Sequence, residues 1–309
     1  MTRLLPAAAT ALFVAALAAA PFTLSTYWVD VLDSVGLYAL LALSLNLILG
    51  EAGLYDMGHA AFFAVGAYTT AILSTRLGVP LLLTLPAAAL AAGLFAGLVA
   101  LPVLRLRGDY LLIVTVGLGE IVRIALVNDV GGLTGGANGI FGIPRPVVLG
   151  MKLKTPEQLF PLIWGAVGLT VLVFRRLSGS RLGRQLRAVR EDEVAAEGSG
   201  VDTARARLTV FVLGSAWAGM TGTLFAAKMT VVSPESFGFW ESVLVFTMVL
   251  LGGAGSIPGV LLGAFLVAGL PEVFRGLAGA RMLVFGLALM VMMVFRPTGL
   301  WPRRAGSAA

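Results

Sequence analysis

The sequence predicts an all-α, polytopic membrane protein with about ten transmembrane helices and both termini cytoplasmic. Three observations predict it. Of the 309 residues, 58% are hydrophobic and only 12% charged, the latter about half the share of an ordinary soluble domain. Mean hydropathy is +0.95. The apolar residues are gathered in runs close to the ~20 residues that a hydrocarbon core of ~30 Å requires. Such runs fill most of the chain, so residues 1–309 read as a single transmembrane domain.

In order, the runs are 4–24, 31–49, 58–75, 80–104, 109–127, 159–174, 208–230, 239–252, 257–274 and 279–295. The first has the look of a signal peptide, with Arg3 before an apolar stretch and small residues at Ala18, Ala19 and Ala20. Its length and the parity of the crossings favour a retained helix. The run 239–252 is short and needs its neighbours to cross. Two segments are polar enough to lie outside the bilayer: 128–158, which holds the glycine-rich stretch 131–139, and 175–207.

Basic residues set the orientation. With 175–207 placed inside, the inner segments hold fourteen arginines: Arg3, Arg105, Arg107, eight within 175–207, Arg296, Arg303 and Arg304. The outer segments hold six basic residues: Arg76, Arg145, Lys152, Lys154, Arg275 and Arg281. Arg123 and Lys228 fall within spans; a snorkelling end residue is expected for Lys228. The segment 128–158 is therefore expected outside and 175–207 in the cytoplasm.

Several chemistries are excluded by composition. No cysteine is present, so there is no disulfide, thiolate metal site or cysteine nucleophile. A single histidine, His59, excludes a multi-histidine metal site. The net charge of +6 lies in arginines beside spans and in no recognition motif, so nucleic acid is not an expected partner. No Gly-Lys-Ser/Thr phosphate loop, Ser-His-Asp set or paired-carboxylate site is evident, and no catalysis is expected on this chain.

The two halves carry an echo. Leu49-Gly50-Glu51-Ala52-Gly53 is similar to Leu251-Gly252-Gly253-Ala254-Gly255, and a glycine-spaced run follows each. Interrupted segments at matching places point to a transport path, although chance similarity explains the echo equally well. Polar residues in or beside spans are the tentative path candidates: Asn46, Asp56, His59, Glu120 and Arg123. Glu120 and Arg123 stand at i and i+3, where an internal ion pair is favoured over a substrate contact. Asp56 and His59 share that spacing; a capped helix start is favoured over a proton relay.

The segment 175–207 reads as a short amphipathic helix from Arg181 to about Glu197. Leu182, Leu186, Val189 and Ala196 form one stripe, Glu193 interrupts it, and Arg184, Arg187 and Arg190 fall on the far side. Gly198 and Gly200 stop the helix. Such a helix can lie on anionic lipid, stay solvated as a plain loop, or dock in a groove of a cytoplasmic partner.

Here a resemblance enters. Arg190 to Gly200, with Ala195-Ala196 and then Gly200, resembles the coupling loop of ABC-importer permeases, although Val194 replaces the glutamate of the general motif. Longer blocks are similar to the M-type (LivM) permease subunits of branched-chain amino acid importers. They are Gly58 to Phe63, Arg105 to Tyr110, Gly119 to Arg123, Leu133 to Ile140, Gly252 to Gly259 and Phe295 to Leu300. A departure lies at Asp56, where relatives more often have serine.

The resemblance implies a permease subunit of an ATP-driven importer in a bacterial-type cytoplasmic (inner) membrane. It implies a second homologous permease subunit, two cytoplasmic ATPase subunits and an external solute-binding protein, besides membrane lipid. ATP would then be hydrolysed on the partner subunits, with no cofactor on this chain. Arg184, Arg187, Arg190, Glu193, Ala195, Ala196 and Gly200 become the ATPase-coupling candidates. Branched-chain or other aliphatic amino acids are the expected substrates, with urea or amides as alternatives. A self-sufficient proton-coupled carrier, or a scaffold for a partner pore, is the rival reading.

Overall fold

A computed structural model describes residues 17, 19–104, 108–148, 150–273, 286, 290, 294–296 and 299–302, and among these described residues the chain forms eleven α-helices. The first run up to residue 16, Arg105 to Arg107, Arg275, Arg281, Arg303, Arg304, most of 279–295 and both termini lie outside the described residues.

Helix α1 (Thr26–Asn46) runs into a π-helical turn (Leu47–Glu51). A non-helical segment, 53–58, leads to α2 (His59–Arg76). A 3₁₀ turn (Leu81–Thr84) opens α3 (Leu85–Val103), and α4 spans Asp109–Val127. Helix α5 (Pro156–Gly179) leads to the short helices α6 (Arg181–Glu191) and α7 (Glu193–Gly198). Then come α8 (Thr203–Met229), α9 (Phe239–Gly252), α10 (Ile257–Ala264), a second π turn (Phe265–Gly269) and α11 (Leu270–Val273). Among the described residues, five stretches are long and apolar enough to cross a membrane: Thr26–Glu51, Leu81–Ala100, Asp109–Val127, Pro156–Gly179 and Thr203–Met229.

Three helices outrun their apolar runs; α1 begins at Thr26, five residues before the run 31–49. The run 159–174 becomes Pro156–Gly179, because Gln158 Oε1 accepts from the Lys154 and Thr155 amides (2.8 and 3.4 Å) and fixes an earlier start. The run 208–230 begins at Thr203, where Asp202 Oδ1 accepts from the Arg205 amide at 3.0 Å.

Helix α8 is the centre of the core and packs on α2 and α3 through small residues. A Cβ on Gly66 would lie 2.5 Å from the Gly219 carbonyl carbon, and one on Gly219 would lie 2.5 Å from the Ala92 Cβ. Close approach through small residues is how membrane helices gain packing without a hydrophobic drive. Two ring clusters join the same helices, Phe62 with Phe95 and Phe211, and Phe63 with Phe225 and Phe237. Thr70 Oγ1 meets Thr223 Oγ1 (2.7 Å) and Thr84 Oγ1 (3.1 Å) between α2, α8 and the 3₁₀ turn.

The polar segments sort to opposite ends. At one end Arg76 donates to the Gly132 carbonyl (2.6 Å), and β1 (Ile140–Phe141) pairs antiparallel with β4 (Val231–Val232). Strands β2 (Val147–Val148) and β3 (Met151–Lys152) form a hairpin in the same segment. At the other end α6 lies against the π turn after α1, and the Leu300 and Trp301 amides donate to Leu251 and Gly252 (2.9 and 3.0 Å). Arg187 and Arg190 thus share an end with residues 299–302.

Candidate functional site

The expected helix from Arg181 to about Glu197 is not one helix but two. Ser180 Oγ caps α6 by accepting from the Gly183 amide (3.4 Å). Asp192 is extended, and its Oδ1 accepts from the Ala195 amide (3.0 Å) to start α7. Gly200 ends the unit at φ +81°, a conformation that favours glycine. Leu186, Val189 and Ala196 are buried, as the stripe requires.

The arginines depart from the expected far side. Arg184 is exposed and bonds its own turn, at the Gly179 carbonyl (2.9 Å). Arg187 turns inward, and Arg190, exposed as a whole, reaches back to the protein with its guanidinium. Arg187 Nη1 donates to the Ser178 carbonyl (2.8 Å) and stands 3.5 Å from Glu51 Oε2. Arg190 Nη1 donates to the Gly50 carbonyl. The reason is angular: Arg187 and Arg190 are four residues after Gly183 and Leu186, only ~40° around the helix from those buried positions. Glu193 is paired with Arg207 at 2.7 Å, both side chains 15% exposed, which accounts for a charge within the apolar stripe. What faces solvent is the opposite side of α7: Val194 is 75% exposed, and Ala195, Glu197 and Gly198 are exposed with it.

The candidates between the spans form two separate places. Asp56 and His59 are buried, with Asp56 Oδ2 and His59 Nδ1 3.0 Å apart. His59 Nε2 is 2.8 Å from Ser44 Oγ, which donates to the Leu41 carbonyl (2.7 Å). A Ser-His-Asp chain therefore exists that the sequence did not reveal; its members lie on α1 and at the head of α2, fully buried. Asp56 is not the helix cap. Gly58 holds that position, and Asp56 Oδ1 accepts from its amide (2.9 Å).

This chain belongs to a wider clamp on segment 53–58 and the first turn of α2. Thr115 Oγ1 accepts from the Met57 amide and Ser242 Oγ from the Ala60 amide, both at 3.1 Å. Non-helical backbone at membrane depth needs such partners, since no water is there to supply them. A Cβ on Gly58 would lie 3.0 Å from the Thr115 carbonyl carbon, so α4 can approach only a glycine. Thr115, Ser242 and Ser44 are lone hydroxyls in apolar runs and carry no spacing signal.

Asn46 is buried elsewhere, where its Oδ1 accepts from the Gly255 amide at 2.7 Å. The two echo segments touch: a Cβ on Gly50 would lie 2.8 Å from Gly255 Cα. Glu120 and Arg123 form the expected internal pair, Nε to Oε2 at 2.8 Å, each side chain about a third exposed (35% and 34%). Lys228 does not snorkel: it is 6% exposed, bonds the Asp30 carbonyl (2.7 Å) and pairs with Asp30 Oδ1 (3.2 Å). Among the described residues no group of three or more His, Asp or Glu is placed to hold a metal ion.

At the opposite end Asp129, at φ +49°, folds the loop 129–135 around its carboxylate. It accepts from the Thr134 amide (2.7 Å), the Thr134 hydroxyl (3.0 Å) and the Gly135 amide (3.0 Å). These bonds from Thr134 and Gly135, with Arg76 nearby, hold its pKa below the ordinary aspartate value.

Comparison with known proteins reads this arrangement. The chain is 41% identical over 305 residues to the high-affinity branched-chain amino acid transport system permease protein LivM of Escherichia coli, covering 91% of this chain and 72% of the relative. It is 30% identical to BraD of Pseudomonas aeruginosa, with 86% and 92% covered, and 28% identical to LivH of Escherichia coli, with 86% and 91% covered. No solved structure matches. The sequence model of the branched-chain amino acid transport system permease component matches residues 27–295, a stretch that takes in the paired helix breaks, the buried clamp and the α6–α7 unit, and the chain belongs to that family of membrane permease components.

Proposed function

We propose that this chain is one of two homologous permease subunits of an ATP-driven importer of branched-chain or other aliphatic amino acids in a cytoplasmic (inner) membrane. The observation that carries the reading is the α6–α7 unit. Its ends are capped, Arg187 and Arg190 tie it to the π turn after α1, and its outer face offers Val194 and Ala195 to a partner. That is the form of a lever between a soluble motor and the spans. In this reading 175–207 is the cytoplasmic coupling loop, with Arg184, Ala195 and Gly200 on the docking surface and Glu193 and Ala196 holding it from beneath. Two ATPase subunits bind there and hydrolyse ATP, and a solute-binding protein delivers substrate to the external segment 128–158.

The second permease and the path belong on α4. Leu111 and Thr115 are its only buried residues, and it presents Glu120 and Arg123 partly exposed. An intramembrane ion pair facing lipid is costly. By contrast α3 exposes Leu90, Leu94 and Leu98, a stripe suited to lipid. The α4 face therefore meets the partner permease and the substrate path. The rival proton-coupled carrier would run a relay through Asp56, His59 and Glu120; Asp56 and His59 are at most 1% exposed, and Glu120 is engaged by Arg123.

The test is Ala195→Trp in the complete transporter. Ala195 is exposed, so the chain should fold and reach the membrane. ATPase subunits should no longer co-purify, or should hydrolyse ATP without uptake. Normal association and normal uptake in this variant would overturn the reading.

A further inference from the structure

The glycine echo gives each half of the chain a helix break, and the two breaks meet. After α1 the chain leaves the helix through the π turn and Gly53 at φ +69°; after α9 it leaves through Gly253 and Gly255 at φ +112° and +90°. Asn46 Oδ1 joins them by accepting from the Gly255 amide at 2.7 Å. Arg190 reaches this joint from α6. Its guanidinium donates to the Gly50 carbonyl. A Cβ built on Gly53 would lie 3.1 Å from its Cγ, and one on Gly255 3.4 Å from its Nη1. One side chain therefore touches both breaks.

The chemistry is specific to that place. The last carbonyls of a helix lack intrahelical donors and form the negative end of its dipole. The Gly53 amide bonds Leu49 and the Leu54 amide bonds Ile48, and the Gly50 carbonyl takes a cation instead. A planar guanidinium can bond one carbonyl while its remaining edge lies against a second backbone. A second tie runs parallel: Glu51 receives Ser178 Oγ and stands 3.5 Å from Arg187. If α6 shifts alone, the Gly50 carbonyl loses its donor inside the protein. If α6 carries the carbonyl with it, Asn46 passes the shift to the Gly255 loop.

We propose that Arg190 is the transmission contact that makes the paired helix breaks at Gly50 and Gly255 move with the coupling segment, so that they change position together in each ATPase cycle. This rests on the importer reading above. It assigns Arg190 a positioning role inside the subunit, distinct from docking the ATPase.

The experiment uses the complete importer in lipid nanodiscs or proteoliposomes. The chain has no cysteine, so Tyr55→Cys, at a position 44% exposed beside the first break, gives a reporter read by mass on this subunit alone. Alkylation rate is compared without nucleotide and with a trapped ATP analogue. With Arg190 present the two rates should differ. Arg190→Gln keeps the stem over Gly53 and should keep ATPase association and hydrolysis. The nucleotide-dependent difference and the uptake per ATP should both fall, by about tenfold for a lost charge-assisted bond, and Arg190→Lys should restore part of each. A full nucleotide response with full uptake per ATP in Arg190→Gln would overturn the proposal. Should Arg190→Gln not assemble, Asn46→Ala decides. A cysteine at Ala254 should then lose its nucleotide response while the one at Tyr55 keeps it, and an unchanged response at both would overturn the proposal. Absence of ATPase subunits from the unmutated complex would instead overturn the importer reading, and this proposal with it.

Discussion

Replacing His59 by leucine should destabilise the folded chain by about 3–5 kcal/mol, the range for breaking a buried pair from one side. Leucine leaves Asp56 Oδ2 facing an apolar side chain where His59 Nδ1 stood at 3.0 Å, and Ser44 Oγ without the ring nitrogen at 2.8 Å. Neither group has access to water, since Asp56 is 1% exposed and Ser44 fully buried. Asp56→Asn should behave differently. Its Oδ1 still accepts from the Gly58 amide, as in the parent at 2.9 Å. Its amide donates to His59 Nδ1, the ring carries its proton on Nε2 and donates to Ser44, and Ser44 keeps its bond to Leu41. With every partner retained, the cost should stay below about 1 kcal/mol. The assay is thermal stability of the purified complex beside uptake in proteoliposomes. The clamp reading is refuted if Asp56→Asn abolishes uptake in an intact complex, because the carboxylate would then carry a proton or a substrate. It is equally refuted if His59→Leu is as stable as the parent.

Other outcomes follow from the same geometry. Gly66→Ala should cost about 1–3 kcal/mol as an overpacked core does, because the new methyl meets Gly219 backbone. Gly168→Ala, with nothing within 4 Å, should gain about 0.5–1 kcal/mol of helix propensity; thermal unfolding of both compares them. The loop 129–135 should be pH-sensitive with a definite sign. Asp129 has a lowered pKa, so its contribution is present above the ordinary aspartate value of 3.8 and is lost as pH falls through its own, lower value. Hydrogen-exchange protection of the Thr134 and Gly135 amides, corrected for intrinsic rate, should fall in that acid range and nowhere between pH 5 and 8.

Hydropathy made the spans legible because lipid imposes length and composition locally. It placed 109–127 and 239–252 where α4 and α9 lie. It missed the ends of α5 and α8, where capping by Gln158 and Asp202 extends a helix into polar sequence. The glycine echo was visible, but not that Gly50 and Gly255 touch, since contact across the fold leaves no mark in either segment. The inward reach of Arg187 and Arg190 could have been read from their four-residue offset from Gly183 and Leu186. The hydroxyls of Ser44, Thr115 and Ser242 could not, because each serves backbone or a ring 15 to 182 positions away.

That last separation bears on biosynthesis. The Ala60 amide finds its acceptor, Ser242 Oγ, 182 residues downstream. At ~5–20 residues per second, roughly 10–35 s of translation separate the two. The head of α2 therefore leaves the ribosome, and reaches the bilayer, long before its last hydrogen-bond partner exists. Until α9 arrives, that amide must be served by water or lipid headgroups near the surface. Final seating of the first turn of α2 is a late step, completed only after the second half of the chain has inserted.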